Sequence, residues 1–201
     1  LTGFLNRRAF MEAGRDALSW ARSQGRSAAL FLIDLDRFKN VNDVHGHAAG
    51  DLVLQEAARR IAAILPPSVQ TARLGGDEFV ALICHDGDDD LVARLAGQLV
   101  AAMEAPIDSQ GRQVRTGASI GIARSDGDDG ACDIETMIRR ADIAMYHSKG
   151  IGRNRYSWFE SGMELAVQNR NQIETGIRDG LPRGEFIPYF EPQVDLATGE
   201  L

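Results

Sequence analysis

The chain has 201 residues, 44% of them hydrophobic and 25% charged, with a formal net charge of -7. That length accommodates one full domain with chain left over, and the composition suits a globular protein able to bury a core. The acidic total argues against a nucleic-acid binder, whose affinity comes mostly from basic side chains on phosphates, yet it leaves room for a mononucleotide met by a few local cations.

Asn6 is placed to cap a helix running to about Ser23. Phe10, Ala13, Ala17, Leu18 and Ala21 give it an apolar face, and Gly25 ends it. Ala28 to Asp34 does not alternate and reads as a strand buried on both faces. Its apolar run, Ala28–Ile33, is the longest in the chain and falls far short of the ~20 residues of a membrane span. A second helix is expected from about Gly50-Asp51 to Leu65, stopped by Pro66-Pro67. Thr71–Leu74 and Phe79–Cys84 read as a hairpin around Gly75-Gly76-Asp77-Glu78. Asp88–Ala105 is helical, with Asp88, Asp89 and Asp90 at the end favoured by the helix dipole. Val114–Ala123 is a strand carrying Gly117 and Gly121, and Asp133–Lys149 is a helix.

This order predicts an α+β fold of the ferredoxin-like palm type, a mainly antiparallel central sheet flanked by helices. The expected divisions are a domain over 1–158, an interdomain helix over 159–181, and a new element from Phe186 to Leu196 that opens a second, incomplete domain over 182–201. A first residue other than Met and a last residue inside an unfinished element lead us to expect a piece of a longer protein. Cys84 and Cys132, far apart in an intracellular-looking chain, are expected to be reduced, and a cytoplasmic location follows.

Two constellations carry chemistry. Asp34-Leu35-Asp36 ends the buried strand with two acids, which repel unless a cation lies between them. Mg²⁺ takes oxygen ligands, commonly one or two carboxylates plus substrate phosphates. Arg73-Leu74-Gly75-Gly76-Asp77-Glu78-Phe79 lets a backbone approach a ligand closely at its glycines. Asp77 and Glu78 should face opposite ways if both lie on a strand. Each constellation alone is also what a solvated strand end or a charged hairpin looks like. Together, Asp34 and Asp77 could bracket a metal, with Lys39, Lys149 and Arg153 meeting phosphates.

The string Gly75-Gly76-Asp77-Glu78-Phe79 is the GGDEF signature. Its companions stand in order: Leu1 to Arg8, Asp34 to Lys39, Asn42-Asp43, Gly46-His47, Gly50-Asp51, Ser119-Ile120-Gly121, and Ala141-Asp142 through Lys149. Over about 155 residues the chain resembles the GGDEF family of diguanylate cyclases. That resemblance implies condensation of two GTP into cyclic di-GMP and pyrophosphate, with Mg²⁺ (or Mn²⁺), by two domains meeting head to head. It implies that Asp34, Asp77 and the Leu35 carbonyl hold metal, and that Asp77 and Glu78 form the catalytic pair. Asn42 and Asp51 would read guanine, Phe38, Lys39, Lys149 and Arg153 would hold the triphosphate, and Gly75 and Gly76 would pass close to it.

The family's Arg-x-x-Asp product-inhibition site falls here on Pro66, Pro67, Ser68 and Val69, so no feedback binding is expected there. The segment Leu181–Glu200 resembles the opening of an EAL domain, a cyclic di-GMP phosphodiesterase, with Glu191 where Gln is common. The rest of that domain would lie beyond Leu201, so no phosphodiesterase activity is expected of these residues. A regulatory GTP-binding domain that tunes such a neighbour is the competing reading, and a sensor upstream is expected. Asp126–Asp133 breaks the calcium-loop spacing at Gly130 and has Met137 where the bidentate Glu belongs. His45 and His47 lack a second ligand pair for zinc, and no P-loop string occurs.

Overall fold

The computed structural model describes residues 1–109, 111–127 and 130–189. They fall into two compact units, divided between Met163 and Glu164. The elements in chain order are α1 (Arg7–Ser23), β1 (Ser27–Leu35), α2 (Phe38–His45), α3 (His47–Ile64), β2 (Gln70–Gly75), β3 (Glu78–His85), α4 (Asp89–Glu104), β4 (Ile107–Ser109), β5 (Arg112–Val114), β6 (Ala118–Arg124), β7 (Asp126–Gly127), β8 (Gly130–Ala131), α5 (Ile134–Gly150), β9 (Arg155–Trp158) and α6 (Ser161–Gly180). The main sheet runs β2-β3-β1-β6-β9. All its pairings are antiparallel except that of β6 with β9. This is the expected α+β palm.

β1 lies at the centre because it is buried from Ala28 to Leu35. Its side chains alternate between two cores. Phe31, Ile33 and Leu35 pack with Val53, Ile61 and Leu99 of α3 and α4. Leu30 and Leu32 pack with Phe10, Leu18, Met137 and Met145 of α1 and α5. α5 lies directly on β6, where a Cβ on Gly121 would come 1.9 Å from the Ala141 carbonyl oxygen. Asn6 caps α1 as expected, accepting from the Ala9 N–H, and Asp88, expected only at the dipole-favoured end of α4, caps it by accepting from the Leu91 N–H.

The structure departs from the sequence pattern in four places. α2 is an additional helix, and Gly46, at φ +82°, separates it from α3, which starts at His47 rather than near Gly50. The strand expected over Val114–Ala123 is two strands. β5 closes a small hairpin with β4, and the main-sheet strand β6 begins at Ala118. The break at 115–117 is fixed by Asp36, whose N–H donates to Gly117 O at 2.9 Å and whose carbonyl accepts from Thr116 Oγ1 at 2.9 Å. β9 adds a parallel edge strand beyond the expected elements. Of the strand expected from Phe186 to Leu196, residues 186–189 are irregular and the remainder lies outside the described residues.

One buried cation fastens the helical layer. Arg60 of α3 is only 9% exposed. It donates to Glu56 at 2.8 Å, to the Ala102 and Ala105 carbonyls at 2.8 and 2.7 Å, and to the Pro106 carbonyl at 3.1 Å. It thereby gathers the last turn of α4 and the two residues that follow that helix around one guanidinium. Hydrogen bonds from Arg59 hold the Glu56 carboxyl far below its usual 4.5, down to about 2, with burial opposing and Arg60 adding to the drop. A depressed carboxyl stabilises the fold above its unfolded pKa and loses that contribution as pH falls through the folded one. Glu56→Gln is therefore expected to cost about 1–2 kcal/mol at neutral pH, allowing for the exposure of Arg59. In urea unfolding, the gap between wild type and variant should close between about pH 4.5 and pH 2. A gap unchanged over that range would contradict this account.

Candidate active site

The central strand delivers its acids to the sheet's edge. Asp34 is the penultimate residue of β1, opposite Glu78 on β3 and Ser119 on β6. Its carboxylate is 12% exposed and lies 2.7 Å from the Lys149 ammonium of α5. Burial pushes the Asp34 carboxyl above its ordinary value. Lys149 opposes that push, while the negative charges of Asp77 and Asp36 add to it. Asp34 and Asp77 thus occupy one electrostatic neighbourhood, joined through the backbone by Leu35 N–H donating to the Asp77 carbonyl at 3.3 Å.

Asp77 lies in the turn between β2 and β3, while Glu78 begins β3. Gly75 and Gly76 take positive φ, +157° and +52°, and a Cβ on either would meet nothing within 4 Å. The turn therefore leaves open space beside its backbone. Arg73 braces it, donating to the Gly76 carbonyl through Nε at 2.9 Å and Nη2 at 2.6 Å.

Asp36, the second acid of the strand end, has a different fate. Its carboxylate accepts from Ser119 Oγ at 2.7 Å and from Asn154 N–H at 2.9 Å. With its own N–H and carbonyl also bonded to Gly117 and Thr116, it is a fastener, tying β1 to β6 and to the turn after α5. That turn holds Arg153 and Asn154 at positive φ, +62° and +48°.

α2 begins at Phe38 with Arg37 as its N-cap, and no side chain caps it. Phe38 is buried in the core, so only its backbone is available to a ligand, while Lys39 is exposed. An uncapped helix N-terminus offers free N–H groups and positive potential to an anion. Asn42 of α2 lies against Gly50 of α3, where an added Cβ would come 1.9 Å from Asn42 Oδ1, and Asp51 follows on the same helix. The missing Cβ thus brings the two residues expected to read guanine onto adjoining positions.

These donors fit a hard divalent cation. The Asp34 and Asp77 carboxylates supply oxygen, and the buried Asp34 carries like charges on two sides that a cation would offset. Among the described residues, no group of three or more His, Cys, Asp or Glu side chains surrounds a common point. Two carboxylates completed by substrate phosphates is the usual arrangement for Mg²⁺ rather than for zinc or calcium.

The family model for the GGDEF domain, diguanylate cyclase, matches residues 1–155. The chain belongs to the GGDEF family. It is 41% identical over 201 residues to the bifunctional diguanylate cyclase/cyclic di-GMP phosphodiesterase MucR of Pseudomonas aeruginosa, covering 100% of this chain and 29% of MucR. It is 34% identical over 202 residues to the cyclic di-GMP phosphodiesterase NbdA of the same organism, covering 100% of this chain and 25% of NbdA. The chain therefore spans between a quarter and a third of these relatives. Among solved structures, the GGDEF domain of TpbB (YfiN) from P. aeruginosa superposes with a TM-score of 0.78 at 38% identity, covering 83% of this chain and 96% of that one. The GGDEF domain of DgcB from Caulobacter crescentus, in complex with c-di-GMP, gives 0.73 at 29% identity, covering 80% and 94%.

Two outcomes follow from the geometry. Asp36→Ala leaves Ser119 Oγ and the Asn154 N–H without an acceptor and should lower unfolding free energy by about 2–4 kcal/mol in denaturant titration. A loss under about 0.5 kcal/mol would remove Asp36 from its fastening role. Gly50→Ala should displace Asn42 and weaken guanine-nucleotide binding more than ten-fold while shifting the melting temperature only modestly. Unaltered nucleotide affinity would place Asn42 outside the base site.

Proposed function

We propose that the first unit condenses two GTP molecules into cyclic di-GMP and pyrophosphate, each domain of a two-fold pair presenting one nucleotide. The observation that carries this reading is the buried Asp34 carboxylate beside Asp77, within one corner of the fold that also contains Lys149 and the uncapped start of α2. Asp34, Asp77 and the Leu35 carbonyl would hold Mg²⁺ or Mn²⁺. When bound, the ion supplies positive charge to the α-phosphate oxygens and the leaving pyrophosphate.

The chain's own residues do the rest. Asn42 and Asp51 hydrogen-bond the guanine edge, so that a wrong base leaves them unpaired. The N–H groups at Phe38 and Lys39, with the Lys39, Lys149 and Arg153 side chains, hold the triphosphate. Lys149 is engaged with Asp34 in the free domain. To meet the phosphates its ammonium would have to exchange that carboxylate for them. Gly75 and Gly76 let the hairpin pass close to the nucleotide. Asp77 assists removal of the proton from the attacking 3′-hydroxyl, with Glu78 beside it. Positioning and charge compensation dominate phosphoryl chemistry of this kind.

One domain offers one such site, so a productive encounter needs a second copy in a two-fold arrangement. Residues 182–201 are proposed to open an EAL domain, supported by the alignment of the whole of this chain to parts of MucR and NbdA. Among the described residues no helix is long and apolar enough to cross a membrane.

Incubating the chain with GTP and Mg²⁺ should yield cyclic di-GMP and pyrophosphate, at a rate per protomer that rises with protein concentration. Asp77→Asn should lower that rate by about 100-fold or more while the protein stays folded. Folded, GTP-bound wild type that forms no product at any concentration would defeat the proposal.

A further inference from the structure

A cavity of about 470 Å³ opens at the C-terminal end of β1. Its wall is drawn from four parts of the chain: Arg37 and Asn40 at the start of α2, Glu104 at the end of α4, Arg115 between β5 and β6, and Arg153 and Asn154 after α5. Only Arg153 is accounted for by the phosphate assignment above. Arg37 and Arg115 are exposed. Among the described residues, none of the three guanidiniums makes a hydrogen bond or an ion pair.

The charge balance in this cavity is positive. Its acids are Asp36 and Glu104, and the Asp36 carboxylate is already occupied by Ser119 and Asn154. Three unpaired guanidiniums therefore face a single free carboxylate, on a chain whose total charge is -7. Guanidiniums are planar forks whose parallel N–H groups match phosphate oxygens in pairs. Arg37, the N-cap of α2, stands in the same wall as Arg115 and Arg153, so the positive end of that helix borders the cavity.

We propose that Arg37 and Arg115, together with Arg153, receive the terminal phosphates of the nucleotide, the portion that departs as pyrophosphate. This rests on the nucleotide reading given above and extends it. The base is read between α2 and α3, and the length of the phosphate chain is read in the arginine-lined cavity. The domain then discriminates a triphosphate from a monophosphate by two side chains beyond the signature residues.

The test is calorimetric, on the full chain with Mg²⁺, using four probes: a non-hydrolysable GTP analogue, GDP, GMP and pyrophosphate alone. The variants are Arg37→Gln and Arg115→Gln, with Arg112→Gln on the β4–β5 hairpin, outside the cavity lining, as a control for net charge. Each cavity variant should weaken the GTP analogue about ten-fold, the worth of one charge-assisted hydrogen bond. Pyrophosphate should weaken in parallel, GMP should change less than two-fold, and Arg112→Gln should change nothing. Equal losses for GMP, or equal losses from Arg112→Gln, would overturn the inference. Loss of pyrophosphate with the GTP analogue unaffected would assign the arginines to a free anion and overturn it too. If wild type binds the analogue and both cavity variants bind it as well, this inference fails alone and the nucleotide reading stands. If folded wild type binds no guanine nucleotide, both fail together.

Discussion

A strand buried on both faces has to end somewhere, and β1 ends in two acids. Burying a carboxylate costs several kcal/mol unless its oxygens are met by donors or cations. The fold answers this constraint in two different ways only two residues apart. Asp36 is met by fixed donors, the Ser119 hydroxyl and the Asn154 N–H, and becomes part of the frame. Asp34 is met by one long, mobile side chain, Lys149, with Asp77 and Asp36 still pressing on it. A carboxylate compensated by a lysine is exchangeable in a way that one held by backbone and hydroxyl donors is not. The frame and the exchangeable site are thus neighbours at one strand end, Asp34 within β1 and Asp36 just past it, and the fixing of the second holds the first in place.

The surrounding elements are arranged by close approach. Gly121 lets α5 lie on β6, which carries Lys149 to Asp34. Gly50 lets α2 and α3 meet at Asn42. Gly117 leaves room for the Asn154 and Asp36 side chains, since a Cβ there would come 2.8 Å from Asn154 Oδ1 and 3.1 Å from Asp36 Oδ2. These glycines serve the packing of the site: Gly121 and Gly117 join segments distant in sequence, and Gly50 joins two consecutive helices. Arg60 performs the same service for the helical layer, holding the end of α4 to α3 through three backbone carbonyls.

Much of this was legible in the amino-acid order. β1, the Gly75-Gly76 hairpin, the cap Asn6, the acidic start of α4 and the helical pattern of α5 follow from local chemistry. The ordered set of motifs gives the family. What escaped is what depends on distant partners. α2 is eight residues long and includes Asn40, Asn42 and Asp43, which favour turns as much as helix. β9 spans four residues and owes its place to pairing with β6. In the string Asp-Leu-Asp the motif singles out Asp34 for the metal but gives Asp36 no role, and only the packing of β6 and α5 makes Asp36 a fastener. Arg60 and Arg115 carry no local signal, because one acts across to α4 and the other follows a hairpin that propensity did not reveal.

The overall charge of the chain is a poor guide to the potential at this corner. A total of -7 suggests repulsion of a polyanion, yet Arg37, Lys39, Arg115, Lys149 and Arg153 come from three segments widely spaced in the sequence. Most surface acids lie elsewhere, several of them paired, as Glu12 is with Arg8, Glu135 with Arg15 and Asp89 with Arg124. Exposed charges beyond about 10 Å are largely screened at ordinary ionic strength, so a ligand entering the corner senses the local cations far more than the distant acids. Local concentration of positive charge, set by which chain segments the buried strand end gathers around itself, therefore decides what the domain can hold. The same arithmetic explains why Asp34 needs its lysine in the free domain: the cations that suit a triphosphate also keep a desolvated acid from standing unpaired.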